Sequence, residues 1–167
     1  MADKQKQLDN VTLENVRIIF RNFSGTETKF NPPGKRNFSV LLDEGIAAAM
    51  ARDGWNVKTL DPREEGDRPQ DYLPVKLNYN TKGRPPRVVM ITSRNRTELS
   101  ENEVNILDWA DIINVDLIVR PFSYDINGVT GISAYVQSIY VTIQEDELER
   151  KYADMSPNRV DDEETDW

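Results

Sequence analysis

The chain has 167 residues, 29 of them acidic and 21 basic, with no Cys and no His and a net charge of −8. Without Cys or His there is no disulfide framework, no thiolate metal site and no histidine-activated nucleophile, and the length suits one domain with a core of its own. No apolar run approaches the ~18 residues of a membrane span, and the polar, charged residues 1–10 read as a flexible arm rather than a secretion signal, so a cytoplasmic location is expected.

Residues 11–23 read as a strand, with Val16, Ile18 and Phe20 on one face and Arg17, Ile19, Arg21 and Phe23 on the other. Asn31-Pro32-Pro33-Gly34 ends a loop, and residues 35–42 form a second predicted strand. Asp43 caps a predicted helix over 45–52, which Gly54 stops. Residues 55–60 read as a third strand, and the charged, proline-bearing stretch 61–71 as an exposed loop. Residues 72–80 alternate Val75, Leu77 and Tyr79 against Lys76, Asn78 and Asn80. A basic turn over 81–86 leads to a strand over 87–93, and Ser100 with Glu103 fits a capping box for a short helical turn. Residues 112–120 and 129–144 are the longest strand-like stretches, linked through 121–126 and the hairpin signal Asn127-Gly128. Residues 145–153 read as a short helix, and 154–167 as a disordered acidic tail. The domain is thus expected over 11–153. About seven strands with two or three short helices, and no βαβ alternation, predict an all-β fold. An OB-type five-stranded barrel with extra strands and long loops fits this pattern, with a β-sandwich as the alternative.

Charge is unevenly placed. Residues 145–167 hold 10 acids and 3 bases, whereas residues 17–96 hold 15 bases and 9 acids. A basic region and an acidic end share one chain, and such asymmetry says more about partners than the total does. Single-stranded DNA (ssDNA) presents phosphates and unstacked bases, so a non-specific binder needs cations along a groove and rings as stacking platforms. The basic region interleaves both. Arg17, Arg21 and Phe23 share a predicted strand face, and Lys35 and Arg36 open the next strand. Trp55, the best single stacking candidate, and Lys58 follow the helix. Lys76 and Tyr79 lie on a later strand, Lys82, Arg84 and Arg87 crowd its turn, and Arg94 and Arg96 stand at another strand end. Core burial competes with stacking for every aromatic, above all for Phe20, Phe38 and Tyr79, which alternate with aliphatic residues.

The chain ends Asp161-Asp162-Glu163-Glu164-Thr165-Asp166-Trp167. Trp is scarce in disordered segments, so a terminal Trp after an acidic run suggests use. The ring can anchor in a partner's pocket while the carboxylates meet its basic rim, or the polyanion can compete with DNA for the chain's own groove. Asp108, Asp111 and Asp116 could be read as the carboxylate cluster of a metal-dependent nuclease, but turn capping and strand-edge charge explain them more simply. No catalytic residue, metal or cofactor is predicted.

The acidic end with its terminal aromatic resembles that of bacterial and T7-type bacteriophage single-stranded DNA-binding proteins. The body resembles bacteriophage single-stranded DNA-binding proteins of the OB fold, across most of residues 11–145. The stretches that carry the likeness are Leu13-Glu14-Asn15-Val16-Arg17-Ile18, Lys35-Arg36-Asn37-Phe38-Ser39-Val40, Tyr72-Leu73-Pro74-Val75-Lys76 and Asn127-Gly128-Val129-Thr130-Gly131-Ile132-Ser133-Ala134-Tyr135-Val136. The resemblance implies an OB barrel without a cofactor that protects ssDNA during replication or recombination, and contacts with polymerase or recombinase through the tail. A phage protein-interaction or structural β-domain without nucleic acid is the alternative, ahead of a nuclease. Homo-oligomerisation stays open.

Overall fold

Alternation along the strands decides the architecture. Leu73, Val75 and Leu77 are buried while Lys76 between them is exposed, and Val115, Leu117 and Val119 repeat the pattern, as do Ile132, Ala134 and Val136. Each strand therefore has one face toward a common core and one toward solvent. The computed structural model describes residues 9–29, 31–62, 64–81 and 83–144. Among them, nine strands and one α-helix follow in the order β1 (Val11–Val16), β2 (Ile18–Asn22), β3 (Arg36–Leu42), α1 (Glu44–Asp53), β4 (Lys58–Leu60), β5 (Gln70–Leu77), β6 (Arg87–Ile91), β7 (Arg96–Leu99), β8 (Ile112–Ile126) and β9 (Val129–Ile143), with a 3₁₀ turn at Val104–Asp108. The expected N-terminal arm lies outside the described residues except for its last two positions. The expected helix over 145–153 and the tail lie wholly outside them, as does Lys82.

Five strand positions form a ring. β2 pairs with β3 and β3 with β5, both antiparallel; β5 runs parallel to β9, β9 antiparallel to β8, and β8 antiparallel to β1. Arg17 alone separates β1 from β2, and Leu41 N donates to Arg17 O at 2.9 Å, so the ladder crosses the junction. One bent strand thus serves both ends of the series, and the series returns to its start. This all-β arrangement is the expected OB-type barrel rather than a sandwich. β4 on β5, and β6 with β7 beside the C-terminal half of β9, are the extra strands.

Local chemistry explains the elements. Asp43 accepts a hydrogen bond from Ile46 N at 2.8 Å, and Gly54 at φ +103° ends α1, which buries Ala47 and Met50. The hairpin between β8 and β9 turns through Asn127 at φ +53° and Gly128 at φ +84°, the left-handed pair that a two-residue turn requires.

Four expectations are corrected. The strand over 11–23 is two arms with a register shift in each, and Asn15 and Phe20 take left-handed φ values of +56° and +54°. The shifts break the period of two, so Phe20 turns outward, 59% exposed, instead of joining the core. The strand over 55–60 is confined to β4, because Trp55 bridges Ile132 and enters the core. β7 was not foreseen. β8 does not stop at Arg120; it continues through Pro121 to Ile126. Its pairing with β1 ends at Val119, so Pro121 falls on an edge, where a missing N–H costs little.

Candidate nucleic-acid interface

The solvent face of β5, β9 and β8 collects rings and cations in one row. Lys76 is in register with Tyr135, and Tyr135 with Arg120. Residues directly opposite across paired strands share a face. Lys76 Nζ lies 5.7 Å and Arg120 Cζ 5.6 Å from the centroid of the Tyr135 ring. Phe122, two residues beyond Arg120 on the same side, meets Tyr135 edge-on at 5.8 Å and is half exposed. A second cluster stands further along β5. Phe20 meets Tyr72 edge-on at 5.9 Å, and the exposed Lys58 is in register with Tyr72. On β9, beyond a shift in register, Arg96 Cζ sits 5.8 Å from the Tyr140 ring, and Arg87 pairs with Glu98 at 3.5 Å nearby. The arrangement offers ring faces for bases and cations for phosphates.

The other residues named from the sequence distribute unevenly. Phe23 and Trp55 are corrections. Phe23 is fully buried and stacked on Phe38 at 5.1 Å, and Trp55 is 5% exposed. Neither has a free face for a base, because the register shift in β2 and the end of α1 turn them into the barrel. Arg21 is a strut: its guanidinium donates to Leu107 O and Ala110 O, both at 2.8 Å. Arg36 projects on the core side at the barrel's end, with Tyr79 at 5.7 Å and Glu101 at 3.8 Å. Tyr79 is partly buried, and its hydroxyl has no hydrogen-bond partner. Burial pushes that hydroxyl up to about 12, against the opposing pull of Arg36 and with a smaller push from Glu101. Arg17, Lys35, Arg84 and Arg94 are exposed but lie off the row. The row therefore takes Lys76 from the named set, and the second cluster takes Lys58.

Tyr135, Arg120, Phe122, Tyr72 and Phe20 were missed as binding candidates. One signal for Tyr135 was present: it alternates with Ile132, Ala134 and Val136 and stands in phase with Ser133 and Gln137.

The three aspartates do not converge on one point. Asp108 accepts from Phe23 N at 2.6 Å, Ser24 N at 3.1 Å and Ser24 Oγ at 2.7 Å, tying the turn before β8 to the end of β2. Asp116 accepts from Asn15 N at 2.7 Å at the β1 bulge. These are turn and bulge contacts.

A five-stranded OB-type barrel with cations and rings on its outer face has the architecture of an oligonucleotide-binding protein. Over residues 1–166 the chain matches the family described as "Putative phage ssDNA-binding domain", and it belongs to that family. No curated protein matches it. Among solved structures it is similar in fold to the single-stranded DNA-binding protein from bacteriophage Enc34, at 14% identity over 82% of each chain with a TM-score of 0.51. It is likewise similar to that protein in complex with ssDNA, at 14% identity over 82% of this chain and 88% of the other with a TM-score of 0.52. A C-terminal truncation of the Enc34 protein matches at 15% identity over 87% of this chain and 98% of the other, with a TM-score of 0.52.

Proposed function

We propose that this chain binds ssDNA with little base preference across the outer face of β5, β9 and β8. Tyr135 is the central stacking platform, and Lys76 and Arg120 hold phosphates on either side of it. The observation that carries the reading is the single cross-strand row Lys76–Tyr135–Arg120. A cation–π contact at an exposed site is worth about 0.5–1 kcal/mol, so trading the ring for a phosphate costs each cation little. Every base has a face to stack, and phosphate contacts read no sequence, so this equipment predicts breadth rather than specificity. Phe122, the Phe20–Tyr72 pair with Lys58, and Arg96 with Tyr140 extend the surface. Family membership and the likeness in fold to a protein solved with ssDNA support the reading.

Titration of the full chain with oligo(dT) tests it. Tyr135→Ala should weaken binding by about 1–3 kcal/mol, the range for one stacked base, and Tyr135→Phe should bind like the parent. Unchanged affinity in a folded Tyr135→Ala protein would move the site to the other exposed cations, Arg17, Lys35, Arg84 and Arg94.

The proposed setting is phage DNA replication or recombination in the host cytoplasm, in a non-catalytic role. Asp161, Asp162, Glu163, Glu164, Asp166 and Trp167 are proposed to dock replication or recombination proteins and to compete with DNA. The net −7 of residues 145–167 supports this division of labour. Among the described residues no helix is long and apolar enough to cross a membrane.

A further inference from the structure

The loop between the 3₁₀ turn and β8 carries the most exposed large apolar side chain among the described residues: Trp109, 81% exposed. Trp on a surface is costly unless used, since burying it would remove a large apolar area from water. The loop beneath it is well held. Arg21 donates to the carbonyls of Leu107 and Ala110 on either side of Trp109, and Asp108 takes three hydrogen bonds from Phe23 and Ser24. The ring is thus presented on a fixed backbone, which lowers the entropy cost of using it. Beside the loop, Ile113 is bulged out of the β8 ladder and 62% exposed. It lines a hollow with Arg17, Arg21 and Ala110 at the bend between β1 and β2, and Asp111 is the one acid in that lining.

Trp109 is thus an exposed ring on a held loop whose next residues, Ala110 and Asp111, line that hollow together with the exposed Arg17. We infer that Trp109 is a second base-stacking station for the same ssDNA, with Arg17 as its phosphate contact. The inference rests on the proposed binding face. β8 joins the two stations. Arg120 and Ile112 are 8 residues apart on it, which at ~3.3 Å per residue is about 26 Å. Even at the ~3.4 Å per nucleotide of a duplex strand, that gap spans no more than about eight nucleotides. It fits the ~4–16 nucleotides that an OB fold occupies. A strand long enough to span the gap engages both stations, and a very short one engages only the Tyr135 row.

The test compares the full chain with Trp109→Ala and Trp109→Phe, using oligo(dT) of about 4 and about 16 nucleotides. Trp109→Ala should weaken binding of the long oligonucleotide by roughly five- to a hundredfold and leave the short one unchanged. Trp109→Phe, which keeps a stacking ring, should hold the long oligonucleotide within about threefold but lose most of the tryptophan quenching that DNA causes in the parent. Parental affinity of Trp109→Ala for both lengths, with quenching intact in Trp109→Phe, overturns the inference. So does parental DNA binding combined with loss of a protein partner, which would make the patch a docking surface. Failure of the parent chain to bind either oligonucleotide would instead bring down the ssDNA reading itself.

Discussion

Lys76 stands over Tyr135 across a parallel pairing of β5 and β9 whose only matched positions are Val75 with Ala134 and Lys76 with Tyr135. Further along, β9 pairs with β6 instead, from Ser138 onward. The short parallel contact is therefore both the joint that completes the barrel and the place where the cationic row is set, because register alone puts the two side chains on one side.

If that row meets phosphates, its cations are legible in salt dependence. Each phosphate neutralised on a single strand contributes about −0.7 to the slope of log K against log salt. Lys76→Gln with Arg120→Gln should therefore flatten the slope by about 1.4 while leaving the thermal unfolding midpoint nearly unchanged, since Lys76 is exposed and no ion pair is lost among the described contacts. A parental slope in the folded double variant would show that these cations do not touch DNA.

Phe20 yields a stability ordering that runs against habit. Its φ of +54° lies in the left-handed region, which costs a non-glycine residue about 1–2 kcal/mol. Its ring is 59% exposed and rests edge-on against Tyr72. Phe20→Ala keeps the backbone strain and loses the ring contact. Phe20→Gly loses the ring but relieves the strain, so it should be more stable than Phe20→Ala by about 1 kcal/mol, the reverse of the usual order in a strand. Urea unfolding gives the comparison. Both variants should bind ssDNA more weakly than the parent. If Ala proves the more stable, the bulge is not strained as the dihedral implies.

The barrel was legible because its signals are local. Strands that alternate cleanly, the Asp43 cap, the Gly54 stop and the Asn127-Gly128 turn each act within a few residues. The candidate binding face was not, because it depends on register. The bulges at Asn15 and Phe20 shift phase inside a stretch that alternates like one strand; Asn15 suits a left-handed φ, but nothing local announces Phe20, a bulky side chain in a conformation that favours glycine. Arg21 and Arg36 read as free cations because their partners, the Leu107 and Ala110 carbonyls and Glu101, lie 65 to 89 positions away. Phe23 stands two residues from Arg21 and Trp55 three from Arg52 and Lys58 in the chain, but both lie inside the barrel in space.

The acidic end supplies a third test. Deleting residues 157–167 removes Asp161, Asp162, Glu163, Glu164 and Asp166 against Arg159 alone, a net side-chain charge of −4. A polyanion tethered near a cationic face competes at an effective concentration in the millimolar range for a short linker. Truncation should tighten ssDNA binding at low salt, and the gain should shrink as salt shortens the Debye length toward about 8 Å. Trp167→Ala should leave DNA affinity nearly unchanged and abolish docking to a replication or recombination partner, since a buried Trp can contribute 2 kcal/mol or more at an interface. Weaker DNA binding after truncation would assign these residues to the DNA site itself.

Tyr79 provides a test of the barrel's end that does not involve DNA. Its hydroxyl is buried without a partner, and burial pushes its ionisation from 10.0 to about 12 in the fold. Arg36 opposes the shift and Glu101 adds a little to it. The sign follows from proton counting. Between pH 10 and 12 the unfolded chain gives up this proton while the folded chain keeps it, so the unfolded state gains. Stability is fully present below pH 10 and falls as the pH climbs toward 12. Tyr79→Phe removes the group that titrates and also the unpaired hydroxyl. At neutral pH the variant should be as stable as the parent or slightly more so, because no hydrogen bond is lost and a buried polar atom without a partner disappears. Above pH 10 the difference in its favour should widen. Thermal unfolding of both proteins across this range checks the argument. A Phe variant that is less stable at neutral pH and follows the parent's alkaline decline in parallel would mean that the hydroxyl has a hydrogen-bond partner in solution, and that the end of the barrel admits water.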